Sequence, residues 1–148
     1  MRRTLTAITL LSIALGAGTL RASDAMKAIV GSYLEIHAQL SSDKIDGIKA
    51  PANAIASRAE AMGPSGAAMA KAAKAVGASA DIKAAREAFG TLSDAVTAAA
   101  KAEGYKDLSG VKLAYCPMIR KSWLQKGDQI QNPYYGSAMS SCGEFKKQ

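Results

Sequence analysis

Two short stretches carry the residues best suited to chemistry: Tyr115-Cys116-Pro117-Met118, and Met139-Ser140-Ser141-Cys142-Gly143. They hold the chain's only two cysteines, each within three residues of a methionine. Thiolate and thioether are soft donors, and soft donors select Cu(I) or Ag(I) over hard cations. A thioether needs no deprotonation, so methionine stays available across pH. Cys116 and Met118 are two apart and share a face of an extended strand. Met139 and Cys142 are three apart and share a face of a helical turn. If the chain folds these segments together, Cys116, Met118, Met139 and Cys142 form a sulfur-rich site for Cu(I) or Ag(I). Zinc fits less well, because it rarely uses thioether and no set of four Cys and His exists. The only histidine, His37, is a candidate fifth donor, but a lone histidine on the apolar stripe of a helix is more often a packed core residue.

A second reading uses the same cysteines differently. Two cysteines in an exported domain commonly form a disulfide. Closing a Cys116–Cys142 loop would contribute on the order of 3 kcal/mol, with Met118 and Met139 as fillers of core gaps. A pair that is oxidised when empty and metal-binding when reduced would combine the two.

Compartment decides what cysteine can do, and the N-terminus speaks to it. Arg2 and Arg3 precede an uncharged, largely apolar run from Leu5 to Leu20, followed by the small residues Ala22 and Ser23. This is the layout of a secretory signal peptide. We expect residues 1–23 to be a leader, cleavage near residues 22–24, and a periplasmic protein with no stable membrane insertion afterwards. The whole chain has 19 basic and 12 acidic residues, a net +7. Loss of Arg2, Arg3 and Arg21 leaves 16 against 12, a net +4. The lysines are scattered and lack interleaved aromatics, which argues against a nucleic-acid surface.

The remaining residues, about 125, suffice for one domain. Apolar positions recur at three and four along Met26, Ile29, Val30, Tyr33, Ile36, His37 and Leu40, and predict a helix capped at Ser23 or Asp24. Ile45 to Met62 predicts a second, kinked at Pro51 or restarted with that proline in its first turn. Residues 65–76 predict a weak third. Ile82, Ala85, Phe89, Leu92, Val96 and Ala99 predict the strongest, over 80–103, with Gly104 beyond its end. The fold class is therefore mainly α: a bundle of about four helices over 24–104. Residues 105–148 hold the only Trp and four of the five Tyr. They predict an irregular C-terminal cap of the same domain with short extended segments, among them a strand through Val111, Leu113 and Tyr115. Because alanines bury little area each, the cap is expected to supply core through Tyr115, Trp123, Tyr134 and Tyr135. Trp123, Asn132, Tyr134 and Tyr135 are also the candidates for an exposed interaction patch.

In order, the motifs YCPM (115–118), SWLQ (122–125), NPYYG (132–136) and M-x-x-C-G (139–143) resemble a domain of unknown function in exported bacterial proteins. That domain occurs alone or fused to periplasmic adaptor subunits of copper/silver efflux systems. The resemblance spans about residues 28–145 and implies a helical domain tied to heavy-metal resistance, with an efflux adaptor as partner. Members often carry extra histidines in the later helices, where this chain has none. An enzyme is not expected: a cysteine nucleophile would need a base, and no triad, phosphate loop or redox CxxC is present.

Overall fold

The computed structural model describes residues 17–105, 108 and 110–147, with side chains from residue 24 onward. Apart from the helical backbone of 17–23, the leader expected over 1–23 lies outside the described residues. Helix α1 runs from Ala17 to Ser41 without a break, so neither Ser23 nor Asp24 caps it in this chain. Its apolar stripe is buried from Met26 through Leu40, with His37 included. No helix among the described residues is long and apolar enough to cross a membrane.

Helix α2 spans Lys49–Ala61 and takes Pro51 in its first turn. The missing N–H costs nothing there, because first-turn amides have no partner inside the helix. A 3-10 turn at Gly63–Gly66 leads to α3, Ala67–Gly77. Helix α4 is Ile82–Ala102, and the Asp81 carboxylate caps it by accepting from the Ala84 amide at 2.8 Å. Gly104 follows its end at φ +67°.

The C-terminal part differs from the irregular cap expected. It is a three-stranded antiparallel sheet in the order β2–β1–β3, with β1 Val111–Cys116, β2 Lys121–Lys126 and β3 Glu144–Lys146. The strand expected through Val111, Leu113 and Tyr115 is present as β1, but its fully buried residues are Ala114 and Cys116, with Leu113 and Tyr115 half-buried. Strand β2 does not alternate, because Trp123, Leu124 and Gln125 are all buried. Gln125 is covered by the loop after β2. Its amide nitrogen donates to the Gln129 carbonyl at 2.7 Å, and its oxygen accepts from the Gln131 amide at 3.1 Å and Trp123 Nε1 at 2.9 Å.

The sheet fills the space that alanines leave between α1 and α4. Tyr33 stacks on Phe89 at 4.9 Å, Phe89 tilts against Tyr134 at 6.0 Å, and Trp123 meets Tyr134 edge-on at 5.8 Å. Such pairs add stabilisation beyond their buried area. The Tyr33 hydroxyl lies 2.6 Å from Ser93 Oγ and accepts from the Leu124 amide at 3.3 Å, joining α1, α4 and β2. Trp123, Asn132 and Tyr134 are buried and Tyr135 is half-buried. These residues are core anchors, which corrects their reading as a surface patch. Tyr115 is only half-buried, with Lys146 Nζ 5.1 Å from its ring centre.

A polar latch ties the helices to the turn after Asn132. Arg86 donates to the carbonyls of Pro133 at 2.9 Å and Leu40 at 3.0 Å, and to Asp43 Oδ1 at 2.6 Å. Asp43 Oδ2 accepts from the Ser137 amide at 3.0 Å. Gly136 passes so close that an added Cβ would lie 2.0 Å from Asp43 Oδ1. The hydrogen bonds from Ser137 and then Arg86 hold the Asp43 carboxyl at about 2, below its ordinary 3.8. A depressed carboxylate pKa stabilises the fold above the unfolded value, and that contribution is lost as pH falls through the folded one. The melting-temperature gap between wild type and Asp43→Asn is therefore expected at neutral pH and closes between about pH 4 and pH 2. Melts across that range check it; a gap that is constant with pH would rule it out.

Candidate functional site

The antiparallel pairing of β1 with β3 brings the two cysteines together. Tyr115 pairs with Glu144, so Cys116 is the next residue beyond the ladder on β1, and Cys142 lies two residues before Glu144, one past Gly143. Their sulfurs are 2.8 Å apart across 26 residues of sequence. Cys116 is 0% exposed, whereas Cys142 is half-buried.

The segment after Cys116 turns at once. Pro117 to Arg120 form the β1–β2 connection, and Arg120 closes it at φ +56°. This geometry aims the backbone amides of Ile119 and Met118 at the Cys116 sulfur, joined by the Asn132 side chain and the Cys142 thiol. Burial raises the Cys116 pKa, but those four donors outweigh it and the net shift is downward. Cys142 shifts upward, because it donates to Cys116 and faces its charge.

The Cys142 side is built with equal care. A 3-10 turn at Gly136–Met139 precedes it, and the Cys142 amide donates to the Met139 carbonyl at 3.1 Å. Asn132 Nδ2 donates to the Cys142 carbonyl at 2.7 Å. Asn132 Oδ1 accepts from the amides of Tyr134 at 2.8 Å and Tyr135 at 3.2 Å, and the Asn132 amide donates to the Ser140 carbonyl at 2.8 Å. Asparagine before proline thus starts the turn and also holds the cysteine. Gly143 follows at φ +146°, and a Cβ there would lie 2.8 Å from Trp123 Cη2. The glycine lets the chain cross the indole and place Cys142 against Cys116.

The methionines stand on the two turns that flank the sulfur pair. Met118 is 65% exposed on the β1–β2 turn, beside the exposed Ile119. Met139 is half-buried at the end of its 3-10 turn. Neither fills the core, so the gap-filling reading of these two side chains does not hold. His37 is not with the sulfurs. Its Nε2 donates to the Gln131 carbonyl at 2.8 Å, and burial lowers its pKa against the effect of that bond. The ring pins the loop after β2 onto α1 and corrects the reading of His37 as a ligand. Among the described residues, no three His, Cys, Asp or Glu side chains gather to hold an ion. What the fold brings together is the pair of cysteine sulfurs, with Met118 and Met139 on the adjoining turns.

Nothing in the local sequence marks Gln125, Arg86 or Asp43, or the supporting role of Asn132, before the chain is folded. The place of Asn132 before Pro133 signals a turn and not that role. Comparison with family models, curated proteins and solved structures finds no match for this chain.

Proposed function

We propose that this chain is an exported, periplasmic protein that binds one soft monovalent cation, Cu(I) or Ag(I), in heavy-metal resistance. Cys116 and Cys142 are the principal donors, and Met118 and Met139 complete or relay the ion. The observation that carries this reading is the paired sulfurs, 2.8 Å apart across 26 residues of sequence. Soft cations accept two-coordinate sulfur ligation, and thiolate beside thioether selects them.

The fit requires one movement. Two metal–sulfur bonds of about 2.3 Å hold their sulfurs up to about 4.6 Å apart, so Cys142 must swing outward on its half-exposed side. The motif resemblance supports a periplasmic efflux adaptor as the partner to which the ion passes. The chain is read as a carrier and not as an enzyme.

Competition titration of the reduced protein with Ag(I) against a chelator tests the donor set. Met118→Leu and Met139→Leu are each expected to weaken binding about tenfold, with the melting temperature unchanged within about 2 °C. Affinities equal to wild type in both variants would remove the thioethers from the account.

The short sulfur separation favours a second reading, a structural Cys116–Cys142 disulfide in an adaptor-docking module. Under it, reduction lowers stability by about 3 kcal/mol and soft cations do not bind. The buried aromatics do not offer that module the docking patch their composition suggested.

A further inference from the structure

The two sulfurs are unequal in access, and that inequality fixes an order of reaction. Cys116 is 0% exposed at the end of β1, while Cys142 is half-buried beside the edge strand β3. An external disulfide can reach only the second. Once Cys142 has reacted, Cys116 is already within 2.8 Å of the sulfur it must attack. Asn132 fixes the Cys142 carbonyl and Met139 its amide, so the backbone at Cys142 is held while the side chain turns.

We propose that the pair is a two-step thiol–disulfide gate, with Cys142 the sulfur that meets a disulfide oxidant and Cys116 the sulfur that closes the bond and shuts the metal site. The cargo being gated rests on the soft-cation reading above; the order of the steps does not. In the first step the Cys142 thiol, losing its proton, attacks one sulfur of a small disulfide such as oxidised glutathione. The S–S bond of the oxidant breaks, and one thiolate leaves and takes up that proton. In the second step Cys116, losing its proton, attacks the Cys142 sulfur of the mixed disulfide and releases the second thiol. Two cysteine thiols are oxidised, one disulfide is reduced to two thiols, and the balance closes. The oxidised pair has no thiolate to offer, so uptake of a soft cation requires reduction.

The test uses full-length chain, a chelator to exclude metal, and oxidised glutathione, with adducts followed by intact mass. Rates are normalised to the same variants in urea, which removes differences unrelated to the fold. Cys116→Ser is expected to accumulate one stable glutathione adduct on Cys142. Cys142→Ser is expected to react at least about tenfold more slowly, because its remaining thiol is covered. Equal or faster reaction of Cys142→Ser, or no adduct on Cys116→Ser, would overturn the order. The oxidised wild type is expected to take up no Ag(I) and to regain uptake after reduction; undiminished uptake when oxidised would overturn the gate. Reduced wild type that never takes up Ag(I), alongside a normal adduct on Cys116→Ser, would sink the soft-cation reading and leave the order intact.

Discussion

Trp123→Ala is expected to cost about 3–5 kcal/mol, the range for deleting a fully buried large aromatic side chain. For a domain of this size that lowers the melting temperature by roughly 10–20 °C. The indole is 0% exposed, meets Tyr134 edge-on at 5.8 Å, and donates from Nε1 to Gln125 at 2.9 Å. It also supports the backbone at Gly143. Alanine leaves a void that the twisted sheet cannot collapse to fill, and it removes a donor from the buried Gln125 oxygen. Trp123→Phe keeps much of the volume and loses the N–H, so a smaller loss of about 1–2 kcal/mol is expected. Urea melts of the three proteins check the ranking; an alanine variant as stable as wild type would contradict the placement of the indole in the core.

Asn132→Ala is expected to destabilise by about 3 kcal/mol or more. Its side chain serves the amides of Tyr134 and Tyr135 and the carbonyl of Cys142, and it is 0% exposed. Each buried partner left without a bond costs about 1–3 kcal/mol, whereas the bond itself contributes less. The effect also has a local signature: amide exchange at Tyr134 and Tyr135 is expected to rise before the helices open. Asn132→Asp keeps the acceptor for both amides but sets a carboxylate oxygen against the Cys142 carbonyl. It is expected to hold the turn and to slow the closing of the sulfur pair. Equal protection of those amides in wild type and Asn132→Ala would contradict this role.

The helices were legible because α1 and α4 each bury one stripe at three- and four-residue spacing, a pattern that leaves little choice of period. Strand β1 was legible from the alternation of Val111, Leu113 and Tyr115, although that pattern picked the wrong face: Ala114 and Cys116 are the fully buried residues. Strand β2 was not, since the loop at 127–131 folds over its outer face and turns Gln125 into a core residue. An alternation test fails when both faces of a strand are covered. Strand β3 has three residues and no pattern to read. The aromatics near the C-terminus were ambiguous between patch and core. The Ala-rich helices decide the matter, because small side chains leave a space that Trp123 and Tyr134 fill. The latch of Asp43 and Arg86 joins residues 43 apart, both of ordinary surface type. Nothing local distinguishes such a pair before the chain is folded. The sulfur pair was found by counting, but its unequal exposure and its amide donors come from the ladder and the tight turn after Cys116.

The most direct test of the account is native mass spectrometry of the reduced chain with one equivalent of Ag(I) under anaerobic conditions, beside the double variant Cys116→Ser/Cys142→Ser. The account predicts one silver ion per wild-type chain, protection of both thiols from alkylation, and no retained ion in the double variant. A reduced wild-type chain that emerges without silver, or a double variant that keeps silver equally well, would contradict it.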